Sequence, residues 1–367
     1  MSKKLKKIIL ATGGTGGHIF PAYGLARHLI DNKKADVEMI TDKRGLKYLA
    51  GNYDFKITQI TSSTLVKKNI FRYLLSIIII LYSLLTSFII LLFNRPNLIF
   101  GMGGYSSFPV CIAASILKIP FVIYENNLHI GKANRYLLPY AKKVFVSYGE
   151  VEGISERYRE KIFKIGNIVR QEILDLKIKS KLDPSDKKLR ILILGGSQAA
   201  KVFAEKLPEI FKECNNDKID LKIYQQCLPD QNNFLSSFYR DLNIDFEIFN
   251  FSNNIHNYFS KINFAITRSG SSMLAELINA KIPFISVPLP SSADNHQLKN
   301  AIYYEKKGYS YLIEEKDLKL KLFKLIKRIN EDKSLLDQLI EKQKQYSDKS
   351  VYKNIDKQIL MIMNEKY

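Results

Sequence analysis

The residues best suited to chemistry sit at the ends of short apolar runs. Gly13-Gly14-Thr15-Gly16-Gly17-His18 follows the run Lys7–Ala11. Glycines in such a turn permit positive φ and close approach of a ligand to the backbone. The amides that open the following helix suit a phosphate or diphosphate. The turn is not a Walker A loop, because no Gly-Lys-Ser or Gly-Lys-Thr follows. It is not a clean G-x-G-x-x-G either, because Ile19 stands where the third glycine belongs. His18, taken alone, fits a general base equally with a histidine that merely opens a helix. Gly101-Met102-Gly103-Gly104-Tyr105-Ser106-Ser107 and Glu125-Asn126-Asn127 end two more runs. Strand ends of a parallel sheet share one edge, so the three loops are expected to line one cleft. Read one at a time, each also fits an ordinary turn.

The second half carries a parallel set. Gly195-Gly196-Ser197-Gln198 follows Ile191–Leu194, and Ser269-Gly270-Ser271-Ser272-Met273-Leu274-Ala275-Glu276 follows Phe264–Thr267. Small residues there open a helix towards a diphosphate. Glu276, about two turns in, suits the hydroxyls of a ribose, or is a solvated helix acid. Gln297 and Asn300 are three apart and share a helix face. Their amides suit the hydroxyls of a sugar, or form a plain polar face. The chain has no Asp-x-Asp, a common metal–diphosphate motif, so neither a bound metal nor a cofactor is expected.

Elements that alternate between strand and helix must position these groups. A chain of 367 residues exceeds one ordinary core, so two domains are expected. Strands are predicted at Lys7–Ala11, Val37–Thr41, Asn97–Gly101, Phe121–Tyr124 and Lys143–Ser147. Helices are predicted at Pro21–Asp31 and about 109–118. After the polar stretch Asp183–Arg190 the pattern restarts, with strands at Ile191–Leu194, Leu221–Tyr224, Phe246–Phe249, Phe264–Thr267 and Pro283–Pro288. This alternation implies α/β domains with parallel sheets. Hydrophobic residues at 46% and charged residues at 25% exclude a disordered chain. Lysine and arginine total 56 against 36 acids, a formal charge of +20, which suits an anionic partner. No nucleic-acid motif and no tryptophan accompany the surplus, so nucleic acid is not expected. Three scattered cysteines, Cys111, Cys214 and Cys227, fit a reducing compartment. The run Ile8–Ala11 is too short for the core of a signal peptide, so export is not expected.

One segment departs from the alternation. Leu74–Phe93 contains no charge, and at ~1.5 Å per residue it would span about 30 Å as a helix, the thickness of a bilayer core. Ser76, Ser83 and Ser87 fall on one face, where small residues allow close packing against protein. Lys67, Lys68 and Arg72 precede the run and Arg95 follows it. Strands on either side are expected in one sheet. The reading is therefore a helix on or in a membrane surface, in preference to a span. A fully buried core helix is the plainer alternative.

In this order and spacing, GGTGGH, GMGGYSSFP, YENN, GNIVR at Gly166–Arg170, GGSQ, RSGSSMLAE and NHQLKNA resemble the MurG family. These are bacterial enzymes that transfer N-acetylglucosamine (GlcNAc) from UDP-GlcNAc to the undecaprenyl-diphosphate-linked muramoylpentapeptide, lipid I, forming lipid II. The resemblance runs from about Lys7 to about Ile313. It implies a GT-B fold, two Rossmann-like domains facing across a cleft. The expected division is an acceptor domain over 1–168, with a helix at about 347–367 packing back on it, and a donor domain over 169–346. It implies that Arg170, Ser197 and the Ser271–Glu276 segment hold the diphosphate and uridine, with Ser252 beside the uracil and Glu276 on the ribose. Gln297 and Asn300 would face the GlcNAc with His296 nearby. Thr15, Gly16, Gly17 and Asn127 would lie where sugar meets acceptor, and His18 would be the base. A place at the cytoplasmic face of the bacterial inner membrane follows, as a peripheral protein on an anionic surface.

The chain departs from the family pattern at four points. Ala199 replaces the glycine after GGSQ, Tyr124-Glu-Asn-Asn127-Leu128 replaces HEQNG, Ser252 replaces an isoleucine and Ile168 replaces the proline of GNPVR. These affect loop shape and donor affinity more than the reaction. Two rivals stand beside this reading. One is another GT-B enzyme with a membrane lipid acceptor, and the other is a membrane-docked scaffold without turnover.

Overall fold

The apolar runs become the strands of two parallel sheets. The structure, a computed structural model, describes residues 5–49, 53–64, 69–176, 187–252 and 254–364, with the backbone alone at 197–200. The chain divides into two compact units, Met1–Gln171 together with Asp348–Tyr367, and Glu172–Ser347.

In the first unit the strands are β1 (Lys7–Ala11), β2 (Asp36–Thr41), β3 (Lys56–Gln59), β4 (Leu98–Gly101), β5 (Phe121–Glu125), β6 (Lys143–Val146) and β7 (Ile162–Lys164). Their order is β3-β2-β1-β4-β5-β6-β7, and every pairing is parallel. Ala11 pairs with Ile40 on one side and Gly101 on the other, so the ends of β1, β2 and β4 are level. Helices cover the sheet, which is why β1 and β4 are apolar at nearly every position instead of alternating.

The second unit repeats the plan with β8 (Leu189–Leu194), β9 (Leu221–Gln226), β10 (Asp245–Phe249), β11 (Phe264–Thr267), β12 (Phe284–Ser286) and β13 (Tyr311–Leu312). The order is β10-β9-β8-β11-β12-β13, again all parallel. Its core joins Ile191, Ile193, Phe203, Phe211, Tyr239 and Phe264. Two parallel-sheet α/β units of this kind form a GT-B fold.

The helix predicted from Pro21 begins five residues earlier, at Gly16. Proline lacks the N–H that would bond the carbonyl four residues back. That carbonyl belongs to Gly17, and Asn126 Nδ2 donates to it at 2.9 Å. A neighbouring loop thus satisfies the acceptor that proline leaves, and the helix continues through it.

The helix Val351–Asn364 belongs to the first unit and buries Val351, Tyr352, Ile355, Ile359 and Ile362. The Tyr352 ring stacks on His28 at 4.3 Å, and Asp356 lies 3.0 Å from His28 Nε2. Just before it, Asp348 accepts from Asn167 N–H at 2.9 Å.

The apolar run is one helix, Ile70–Asn94, between β3 and β4. Asn69 caps its start by accepting from Phe71 N–H, and Arg95 closes it in the left-handed region at φ 39°. Ser76, Ser83, Ser87 and Leu91 are its buried residues, and it packs on the helix Ser107–Ile116. The opposite face, including Phe71, Leu75, Ile78, Tyr82, Leu85, Ile89 and Phe93, is exposed. Among the described residues it is the one helix long and apolar enough to cross a membrane. Arg72 and Arg95 are exposed at its ends, while Lys67 and Lys68 lie outside the described residues.

Candidate active site

In the first unit three strand ends converge. Beyond β1, Gly14 takes φ +84° and Thr15 opens the helix that carries His18. Beyond β4, Gly103 and Gly104 take φ +91° and +83°. The two turns are pressed together. A Cβ on Gly104 would strike the carbonyl of Gly13, one on Gly13 would strike Ser106 Oγ, and one on Gly103 would stand 2.5 Å from His18 Nδ1. Ser106 Oγ donates to the Thr12 carbonyl at 2.9 Å and ties the turns. His18 is therefore half-buried against the second glycine turn.

Asp42, just past β2, anchors this assembly. Its Oδ1 accepts from the N–H groups of Gly14 (3.1 Å) and Gly45 (2.8 Å). Its Oδ2 accepts from Ser62 Oγ (2.6 Å) and from Arg44 Nη2 (2.8 Å). Burial pushes the carboxyl up, but the hydrogen bonds from Ser62, Arg44, Gly45 and Gly14 outweigh it and hold the group below the usual carboxylate range. No periodicity or motif points to Asp42; an acid three residues before a glycine is its only trace in the sequence.

The third loop follows β5. Glu125 is buried, with Oε1 accepting from Asn127 N–H and Asn127 Nδ2, both at 3.0 Å. Its Oε2 accepts from Gly131 N–H (2.8 Å) and Asn134 Nδ2 (3.0 Å). Asn126 reaches Gly17, so Asn126–Asn127 is joined to the first glycine turn. Tyr124, where the family pattern has histidine, is buried with its hydroxyl 2.9 Å from Ser147 Oγ and accepting from Ile168 N–H at 3.0 Å. Burial pushes its phenol well above the ordinary range. The tyrosine links β5 to the Gly166–Arg170 segment. Arg170 falls in the first unit, nearly buried, with its guanidinium 5.2 Å from the centre of the Phe20 ring.

In the second unit the turn after β11 is held from below. Arg268 pairs with Glu315 at 2.6 Å and donates to the carbonyls of Val287 and Pro288, both at 3.3 Å. Gln297 Oε1 accepts from the N–H groups of Ser269 (3.1 Å) and Leu289 (3.0 Å), and Asn300 Nδ2 donates to the Ser269 carbonyl (3.2 Å). Both partners of the Gln297 oxygen are donors, which fixes the orientation of its amide. The helix Ser271–Asn279 then begins after Gly270. Ser271 and Glu276 are buried and Ser272 and Met273 half-buried, while Leu274 and Ala275 lie in the core. A Cβ on Gly270 or on Gly196 would meet nothing within 4 Å. Ser197 lies in the first turn of the helix Gly196–Asn216; its side chain, like that of Ala199, lies outside the described part. Ser252 Oγ accepts from Asn254 N–H at 3.1 Å. His296 Nδ1 lies 2.7 Å from the Ala293 carbonyl, beside Asp294 and Asn295 at positive φ. No group of three or more His, Cys, Asp or Glu side chains suited to a metal occurs among the described residues.

Comparison with known proteins places this geometry. The glycosyltransferase family 28 N-terminal domain matches residues 8–146, and the family 28 C-terminal domain matches residues 190–358. A UDP-N-acetylglucosamine--N-acetylmuramyl-(pentapeptide) pyrophosphoryl-undecaprenol N-acetylglucosamine transferase of Pelagibacter ubique is 33% identical, covering 98% of this chain and 99% of its own. The protein of the same name from Francisella tularensis subsp. holarctica is 31% identical over 98% of this chain and 97% of its own. Among solved structures, MurG of Acinetobacter baumannii superposes with a TM-score of 0.76 at 24% identity, covering 98% of this chain and 100% of that one. The S. aureus MnaA–UDP structure gives 0.68 at 17% identity, covering 99% of each chain. Two α/β units with glycine turns at matching strand ends, matched nearly end to end by these relatives, make the chain a member of the MurG family of glycosyltransferases.

Proposed function

We propose that the protein transfers GlcNAc from UDP-GlcNAc to the muramoyl sugar of lipid I, giving lipid II for peptidoglycan synthesis. The observation that carries this reading is near-full-length similarity to enzymes named for that transfer, together with His18 held between two interlocked glycine turns. In this reading the first unit takes the acceptor. His18 removes the proton of the sugar hydroxyl as its oxygen bonds to the anomeric carbon, a contribution of about 10²–10⁴-fold. The bond from that carbon to the diphosphate breaks, its electron pair leaves with UDP, and the centre inverts. Thr15, Gly16, Gly17 and Asn127 line the acceptor side. The second unit takes the donor, with Ser197, Ser252 and Ser271–Ala275 at the nucleotide, Glu276 at the ribose, and Gln297 and Asn300 at the sugar. Arg170 is assigned to the diphosphate. Amides at helix starts stabilise the charge that develops on the leaving group.

A polyprenyl acceptor stays in its bilayer, so the first unit must come to it. The exposed face of Ile70–Asn94, with Arg72 and Arg95, supports peripheral attachment to an anionic surface at the cytoplasmic side of the inner membrane. Strands before and after this helix share one sheet, which argues against a crossing. Labelled UDP-GlcNAc incubated with lipid I should give labelled lipid II. Transfer to diacylglycerol instead, or to neither, would replace this reading with one of its rivals. For the membrane, Lys68→Cys and Arg95→Cys in sealed inverted vesicles should both react with an impermeant reagent, since the native cysteines are buried. Reaction at only one of them would mean a crossing helix.

A further inference from the structure

Gln226, the last residue of β9, stands beside the helix that opens after β8. It is 5% exposed, and its Oε1 accepts from Gly196 N–H at 3.2 Å. A side-chain amide has one accepting oxygen and one donating nitrogen, so seating the oxygen on a backbone N–H turns the NH₂ the other way. The Nε2 of neighbouring Gln225 is sealed in the core without a partner. That of Gln226 also has no hydrogen-bond partner among the described residues, yet it is not sealed from solvent. The helix it flanks, Gly196–Asn216, is 21 residues long, and above its first residue a Cβ would meet nothing within 4 Å. A buried amide thus holds an unused donor beside the start of a long helix, where anions are favoured.

We infer that Gln226 is a further donor-binding residue, whose Nε2 donates to a phosphate oxygen of the nucleoside diphosphate at the start of helix Gly196–Asn216. This rests on the reading of the second unit as the UDP-GlcNAc site. Gln226 and Gln297 then act as a pair: each spends its oxygen on backbone N–H groups of a strand-end turn, and each offers its NH₂ to the ligand. In the bound complex the amide also keeps Gly196 in its left-handed conformation, φ +66°.

The test is Gln226→Glu, which retains an oxygen for Gly196 N–H but replaces the donor with negative charge. The Kd values of UDP-GlcNAc and UDP should each rise about tenfold or more, with the Kd of uridine unchanged, because uridine has no phosphate. An unchanged Kd for UDP in the folded variant overturns the inference, as does an equal loss for uridine. Should Gln226→Glu fail to fold, Gln226→Met keeps the length without donor or acceptor. It should weaken UDP several-fold, and an unchanged UDP affinity again overturns the inference. Wild-type protein that binds UDP-GlcNAc while the variants bind it equally well would leave the donor reading standing and remove Gln226 from it. Wild-type protein that binds none of the three ligands would overturn both.

Discussion

The glycine turns of the two units look alike in the sequence and serve opposite purposes. In the first unit Gly13, Gly103 and Gly104 are needed because protein occupies the space where their side chains would be: each turn, or His18, fills it. In the second unit Gly196 and Gly270 face open volume. The first set builds a close-packed seat for a histidine, and the second leaves open space beside the chain, which the proposed function gives to the donor. A glycine in a motif is therefore ambiguous until its neighbours are known, and the two sets should respond differently to one added methyl group.

The largest effect is expected at Gly104→Ala, which combines positive φ with collision against the backbone of Gly13. It should cost about 3 kcal/mol or more in urea denaturation and abolish turnover. Stability within a few tenths of wild type would mean the turns are not interlocked. His18→Ala leaves the seat intact, so kcat should fall about 10²-fold with little change in the Kd of UDP-GlcNAc. Near-normal turnover would reduce the closed turn to a structural device. On the open side, Glu276→Ala should weaken UDP-GlcNAc by about 1.5–3 kcal/mol without changing acceptor binding, as read by donor titration. An unaltered donor isotherm would remove Glu276 from the ribose.

Asp42→Asn probes the closed side through pH. The folded-state carboxyl of Asp42 is depressed, so its stabilisation is complete above the ordinary carboxylate pKa of about 3.9 and is lost as pH falls through the lower folded value. The variant should be less stable than wild type by about 1.5 kcal/mol at pH 7, and the gap should shrink as pH falls below about 4. A gap independent of pH would show that charge is not what Asp42 contributes. The smallest effect is expected at Gly270→Ala. Its φ of −69° suits any residue and its Cβ meets nothing. Stability should stay within about 0.5 kcal/mol while donor affinity drops, because the methyl group enters the ligand's space.

Strands were legible wherever both faces are buried, since Lys7–Ala11 and Phe264–Thr267 read as unbroken apolar runs. The short edge strands β3, β7 and β13 were not, because partly exposed residues leave no such run. The same division holds at the site. Turns announce themselves through glycine, but the groups that hold the turns act across the chain. Asn167 and Asp348 are 181 positions apart, and Gly196 and Gln226 are 30 apart. Asp42 and Gln226 sit at strand ends, and the sheet order brings them to Gly14 and Gly196, whereas Glu125 binds within its own loop, at Asn127, Gly131 and Asn134.

The return of Asp348–Tyr367 to the first unit sets the order of events during synthesis. The first unit lacks Tyr352, Ile355 and Ile362 until the whole of Glu172–Ser347 has been translated. At about 5–20 residues per second that is a wait of roughly 10–35 s. Through that interval the second unit is free to fold as an uninterrupted segment, while the first emerges early and closes late. A nascent chain halted before Asp348 would carry a first unit without this helix, with His28 and Gly24 lacking the Tyr352 that packs on them. Chaperone capture should concentrate on that half-finished unit, although it is the one the ribosome makes first.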